Sequence, residues 1–288
     1  MISTTGLSFT YPDGTEAVTN VDLDIQKGEF VALMGANGSG KTTLLKLLIG
    51  LLKPCSGEIR LDGRAPRQLK DTDFFKRVGM VFQDPNDQLF ASTVEQDVGF
   101  GVANLGVKGE EASRRISHAL EMVGAGGLGC KPIHTLSYGQ KRRVSLAGVL
   151  AMEPGLVLLD EPTSGLDPRS ITPIMLLLRR LNRDKGIAMV MATHDVELVP
   201  LFCDRIIVMH QGRIAAQGTP HEIFANPALT RGVGLRLPRL AHLAEILKKE
   251  DGLEINLPLT ISEARREFVR LNGGREPVKV ARRRWENR

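Results

Sequence analysis

The sequence has no long apolar run. No stretch approaches the ~18 consecutive apolar residues that a membrane-crossing helix needs, which excludes a chain that spans a bilayer by its own helices. Met1-Ile-Ser-Thr-Thr5 lacks the charged-then-apolar pattern of a secretion signal, so none is expected. Three cysteines, Cys55, Cys130 and Cys203, are odd in number and isolated. They provide neither a disulfide framework nor a metal box, and they suit a reducing cytoplasm. The six histidines are scattered, so metal ligation by this chain has no support. Internal repeats and low-complexity segments are also missing.

What is present is a phosphate-binding pattern. The 288 residues suffice for one α/β core and a smaller appendage. Phe30-Val-Ala-Leu-Met34 is a short apolar run bounded by Gly28 and Gly35, which reads as a buried parallel strand. Gly35-Ala-Asn37-Gly38-Ser39-Gly40-Lys41-Thr42-Thr43 follows, and Leu44–Ile49 reads as a helix. The glycines let successive N–H groups turn toward a β- and γ-phosphate, and the positive helix end faces the same anion. Lys41 adds a point charge, and the Thr42 hydroxyl is placed to ligate Mg²⁺.

A second apolar run, Leu156-Val-Leu-Leu159, ends on two carboxylates, Asp160 and Glu161. Carboxylates on a buried strand are costly without a compensating cation or donor, which favours a site over a simple turn cap. Asp160 would hold the Mg²⁺ shell, and Glu161 would act as general base toward water. Between the two halves stands Leu136-Ser137-Tyr138-Gly139-Gln140, at the start of a helix through Ala147.

This order of motifs resembles the ATP-binding-cassette ATPases. The resemblance implies an α/β P-loop domain with a mixed, mainly parallel sheet and a helical subdomain. It implies ATP and Mg²⁺ as cofactors, and hydrolysis rather than phosphate transfer to another substrate. Gln83, after Gly79–Phe82, matches the glutamine that senses Mg²⁺ and the γ-phosphate. His194, after Ile187–Ala192, matches the γ-phosphate-contacting histidine. Tyr11 stands where an aromatic ring meets adenine, with an ordinary turn tyrosine as the alternative. Ser164-Gly-Leu-Asp167 resembles the loop through which two subunits communicate. Ser137, Gly139 and Gln140 would face the γ-phosphate of a partner subunit, so two chains would sandwich two ATP molecules. Tyr138 departs from the family glycine at its position.

The nucleotide motifs all fall within residues 1–224. Ile2–Phe9 and Ala17–Ile25 read as strands, and Ile206–Ile214 as a closing hairpin. A helical subdomain is expected over about residues 73–150, with a helical apolar pattern at Ser113–Val123. Residues 225–288 carry 14 Lys or Arg against 8 Asp or Glu, leaving 24 against 25 elsewhere, so the basic character belongs to the tail. Leu235, Leu237, Leu240, Leu243, Ile246 and Leu247 argue for an amphipathic helix there. Thr260-Ile-Ser-Glu263 has a capping-box pattern before another helix, Ala264–Leu271. Such a stripe must pack on its own core or on another subunit, and the resemblance favours dimerisation through the extension. Arg282–Arg284 could meet anionic lipid or nucleic acid, though a solvated tail end is the simpler reading.

Val81-Phe-Gln-Asp-Pro-Asn-Asp-Gln-Leu-Phe90 looks like the ATPases of energy-coupling-factor importers. Leu136–Arg143, Gly148–Pro154 and Ala192–Pro200 look most like their cobalt and nickel group. This implies a homodimer, or a pair with a closely related ATPase, on the cytoplasmic face of the inner membrane. It also implies a transmembrane coupling protein and a substrate-binding membrane subunit as partners, and no nucleic acid. Gln88, Leu89 and Phe90 suit a partner groove, with Leu89 and Phe90 as core residues the alternative. A vitamin cargo is the second reading. A soluble chromosome- or repair-associated cassette is the third, disfavoured because the interval from Thr43 to Leu136 shows no sustained heptads.

Overall fold

The computed structural model describes residues 1–68 and 70–273. In chain order, β1 (Ile2–Thr10) and β2 (Glu16–Ile25) form an antiparallel pair, and β3 (Phe30–Met34) leads into α1 (Lys41–Leu48). β4 (Ser56–Leu61) returns to pair with β1, and α2 (Asp71–Phe75) precedes β5 (Val78–Val81). Three helices follow: α3 (Val94–Asn104), α4 (Gly109–Met122) and α5 (Tyr138–Leu150). The main domain continues through β6 (Leu156–Asp160), α6 (Pro168–Lys185), β7 (Ala188–Ala192), α7 (Val199–Phe202), β8 (Arg205–His210) and β9 (Arg213–Gly218). Then come α8 (Pro220–Phe224), α9 (Pro227–Gly232), α10 (Arg239–Lys249) and α11 (Ile261–Leu271).

Two sheets frame the molecule. One has the order β2-β1-β4; the other is β5-β6-β7-β3-β8-β9, with all neighbours parallel except the antiparallel edge strand β9. The short apolar runs are strands because both faces of the large sheet are covered. Successive side chains alternate between faces. Val31, Leu33, Leu156 and Leu158 meet the leucines of α1 and the antiparallel sheet. Phe30, Ala32, Val157 and Leu159 meet the helices on the other side. All five parallel strands therefore end on one edge, where the glycine loop, Gln83, Glu161 and Thr193 emerge. No helix among the described residues is long and apolar enough to cross a membrane.

Four expectations need correction. The helix-rich stretch does not begin at residue 73: Val78–Val81 joins the large sheet beside β6, and continuous helix starts at Val94. Leu89 lies in the core, whereas Phe90 is 67% exposed, so only the phenylalanine is available to a partner. The stripe from Leu235 to Leu247 is not one face. Leu235 and Leu237 pack on the main core, but on α10 the buried residues are Ala241, Ala244 and Glu245, while Leu243 and Ile246 point outward. The extension thus shares the main domain's core through Val233, Leu235, Ala241 and Leu259. Thr260 does cap α11 by accepting from the Glu263 N–H, but the Glu263 carboxylate accepts from Leu259 N–H and contacts His221 instead of closing a box. Arg282–Arg284 lie outside the described residues.

Candidate nucleotide-binding site

The loop after β3 is glycine-built for steric reasons. Gly35 and Gly40 have φ of 150° and 99°, and a Cβ on either would lie 2.2 Å from a carbonyl oxygen, of Met209 and Ala17 respectively. Only glycine fits such a backbone at that approach. Gly40 is the N-cap of α1 and offers no side chain, so the first-turn N–H groups stay available to an anion. The buried Lys41 ammonium donates to the carbonyls of Gly35 and Ala36, both at 2.9 Å, which holds it over the loop. Burial lowers its pKa, and Glu161 and Asp160 oppose that shift. The Ser39 hydroxyl is buried in the same loop without a hydrogen-bond partner, as a site made for a further acceptor would leave it.

Two oxygens beside the loop could hold a cation. The Thr42 hydroxyl donates to the Asp160 carboxylate at 3.2 Å. Burial raises the Asp160 pKa, against that bond and the positive charges of Lys46, Lys41 and Arg142. One hydroxyl and one carboxylate, with water and phosphate oxygens completing the shell, fit Mg²⁺, which favours few protein ligands. The described residues contain no cluster of three or more His, Cys, Asp or Glu, so no denser metal cage competes.

Glu161 follows directly. Its φ of 46° is left-handed, a strained state that persists only when its surroundings impose it. Its N–H donates to Ala192, and its carbonyl accepts from Ser164 N–H and from Arg142. This turn aims a nearly buried carboxylate at His194, with Oε1 2.9 Å from Nδ1. The imidazole itself is largely exposed. Gln83 sits at the end of the neighbouring strand, exposed, with its carbonyl held by Arg142 at 2.8 Å. The arrangement can fix a phosphate chain, a divalent cation and a proton-accepting carboxylate at one sheet edge.

The remaining predicted residues divide into two groups. Tyr11 lies beside the loop, its hydroxyl 3.1 Å from that of Thr43 and its ring edge-on to Phe9. Ser137, Gly139 and Gln140 form the start of α5. The Ser137 hydroxyl accepts from Gln140 N–H at 3.3 Å, and the Gln140 side-chain Oε1 accepts from Ser137 N–H at 3.0 Å. That capping box commits the Gln140 side chain to its own helix. A cavity of 980 Å³ opens beside Gly35, Asn37 and His194, and none of the α5 residues lines it. Its far wall is the extension, from Gly234 to His242.

Comparisons with known proteins give the family. A family model described as ABC transporter matches residues 18–164, and a putative ABC transporter ATP-binding protein of Geobacter sulfurreducens is 49% identical over 92% of this chain and 95% of its own length. The chain is an ABC transporter ATPase. The energy-coupling factor transporter ATP-binding protein EcfA of Methanocaldococcus jannaschii is 46% identical to this ATPase over 93% of the chain and 97% of the relative. Among solved structures, CbiO1 from Clostridium perfringens, described as part of the ABC transporter complex cbiONQ, has a TM-score of 0.72. It is 44% identical, covering 85% of the ATPase and 98% of CbiO1. The dimeric cassette MJ0796 bound to ADP and Pi has a TM-score of 0.70 and 32% identity, covering 76% and 99%.

Sequence reasoning missed one residue beside this site and gave another a different role. Arg142 was hidden in the basic run Lys141–Arg143, yet it is 2% exposed. Its helical spacing to Leu146 and Val149, both buried, was the signal available. Gln88, assigned to a partner groove, instead accepts from Phe82 N–H and donates to the Ser145 carbonyl.

Proposed function

We propose that this ATPase drives uptake of a transition-metal ion, cobalt or nickel, through the separate membrane subunits of an energy-coupling-factor importer. The observation that carries the chemistry is the Glu161–His194 contact at 2.9 Å, beside the Thr42–Asp160 pair and above the glycine loop. In this reading the loop N–H groups, Lys41 and Ser39 bind the phosphates of ATP, and Tyr11 meets the base. Thr42, Asp160 and Gln83 would hold Mg²⁺, which supplies charge neutralisation on the phosphates when bound. Glu161 accepts a proton from the attacking water, and His194, in contact with that carboxylate, meets the γ-phosphate. Ser137 and Gly139 stand apart from the chain's own cavity, which supports a site completed by a second copy.

Partner surfaces support the same reading. Phe90 and Phe100 form an exposed edge-on pair, 4.7 Å between ring centres, on the helical side. Such a pair suits a membrane coupling subunit, which supports a reading of the chain as peripheral to the cytoplasmic face of the membrane. Leu243, Ile246, Ile261 and Phe268 are exposed on α10 and α11, and Gly234 of the same extension would bring a Cβ within 3.5 Å of Ala36. An extension that touches the nucleotide loop is well placed to hold a second copy there. The relatives described as EcfA support the importer class and leave the cargo open, whereas the likeness to CbiO1 supports the metal reading, with vitamin import the second.

Co-purification with the membrane subunits and uptake of labelled Co²⁺, Ni²⁺ and vitamins tests the cargo; vitamin uptake alone rejects the metal reading. The shared site is tested by mixing Lys41→Ala and Ser137→Arg chains. Both defects fall in one of the two sites of a mixed dimer, so activity should return relative to either variant alone. Specific activity independent of protein concentration at every dilution would contradict the shared site.

A further inference from the structure

Arg142 spends all its donors on main-chain carbonyls. Nε donates to Pro162 at 3.0 Å, Nη1 to Phe82 and Gln83 at 2.5 and 2.8 Å, and Nη2 to Asp160 at 3.3 Å and to Glu161. A guanidinium has five N–H groups in a rigid fork, so the group is saturated. Burying a charge this deeply is costly unless dipoles or counter-charges compensate it. Here the five carbonyls do so, although burial still lowers the pKa of the group, with Tyr138, Asp160, Asp84 and Glu161 opposing.

The identity of those carbonyls matters more than their number. Phe82 and Gln83 follow β5, while Asp160 ends β6 and Glu161 and Pro162 follow it, and these strands are parallel neighbours. Arg142 itself lies five residues beyond Ser137, a rise of roughly 7.5 Å along one rigid helix. Two more side chains tie the same helix to the segment after Gln83. Lys141 donates to Asn86 at 2.7 Å, and Gln88 bridges Phe82 N–H and the Ser145 carbonyl.

We propose that Arg142 is a positioning residue that makes the Ser137–Gln140 turn, Gln83 and Glu161 move as one body. The proposal rests on the shared-site reading above. In a dimer, this turn would contact the nucleotide of the second copy, while Gln83 and Glu161 act on the chain's own. One guanidinium then links the occupancy of one site to the catalytic carboxylate of the other.

The full-length ATPase provides the test. Arg142→Lys keeps the charge and the stem but loses the planar fork, and Arg142→Gln keeps a short donor. Both should bind ATP within about twofold of the unsubstituted chain, because Arg142 does not touch the glycine loop, while kcat falls about tenfold or more. The Hill coefficient for ATP should also fall toward that of independent sites. A merely structural role would lower thermal stability yet leave the folded fraction with its original kcat and Hill coefficient, and that result overturns the proposal. Glu161→Gln serves as the control: if it still hydrolyses ATP, the catalytic reading fails rather than the role of Arg142. Should neither Arg142 variant fold, hydrogen exchange on the unsubstituted protein decides. Peptides covering residues 82–84, 138–143 and 160–164 should gain protection at one common ATP concentration, and separate midpoints overturn the linkage.

Discussion

From Phe30 to Met34 every side chain is buried, whereas from Arg239 to Lys249 only Ala241, Ala244 and Glu245 are. The strand is held by main-chain ladders to both neighbours. The helix is held by its two buried alanines and by carboxylate contacts. Glu197 accepts from the Arg239 N–H at 2.8 Å, and Glu245 is paired with Arg231 and Lys249 at 2.5 and 2.7 Å. Burial of aliphatic strands leaves the core little choice of conformation, and the chemistry sits where that rigidity ends. The extension instead packs its small residues inward and keeps large apolar ones outside. A side chain such as Leu243 contributes about 1.5–3 kcal/mol when fully buried, so that surface gains most by meeting a partner. The difference separates a part that does chemistry from a part suited to assembly.

Substitutions should divide along the same line. The largest effect is expected at the core edge: Glu161→Gln should lower turnover about 10²–10⁴-fold while ATP binding persists, as single-turnover assays and nucleotide titration will read. Next is Leu89→Ser, which should destabilise the domain by about 3 kcal/mol in denaturant unfolding. Phe90→Ser, one residue on, should leave stability unchanged and reduce uptake when the membrane subunits are present. If both changes destabilise equally, Phe90 is not a docking residue. In the extension, Leu243→Ser with Ile246→Ser should weaken the nucleotide-free dimer about tenfold or more by light scattering. ATPase activity at saturating protein should be spared. A full-length chain that is monomeric without ATP would break the comparison outright.

The smallest effect concerns acid. The Arg231 and Lys249 side chains hold the Glu245 carboxyl down at about 2, below the ordinary 4.5. A depressed carboxylate pKa stabilises the fold fully above the ordinary value and loses that contribution as pH falls toward 2. Between these limits the attachment of α10 should loosen, seen as faster amide exchange over residues 239–249. Glu245→Gln should remove that pH dependence without changing ATP hydrolysis.

How much of this was legible beforehand depended on range. The glycine loop, the Leu156–Asp160 strand and the β8–β9 hairpin were readable because the residues that specify them are adjacent. Asp160 and Thr42 lie far apart in sequence, but each belongs to a motif whose strand or helix fixes its place. Leu89 and Phe90 show the limit: two neighbouring apolar residues, one in the core and one exposed, with nothing local to separate them. Arg142 shows it more sharply. Its charge suggested solvent, and its five acceptors come from segments about 20 and 60 residues away. The α10 stripe had the correct period, yet the small residues beside the leucines took the inward positions.

Tyr138 and Gly165 carry a final consequence. The tyrosine ring fills the space a side chain at 165 would need: a Cβ there would lie 2.7 Å from Cε1, on a backbone with φ of 72°. The two positions therefore behave as lock and blank. Grafting the pentapeptide of another cassette, with glycine at its third place, would open a gap over residues 164–166. Transplanting Tyr138 into a cassette with a bulkier residue opposite would jam the same loop. Chimeras built by exchanging helical subdomains should work only when the piece around Gly165 travels with the piece around Tyr138, although 26 residues of chain separate them.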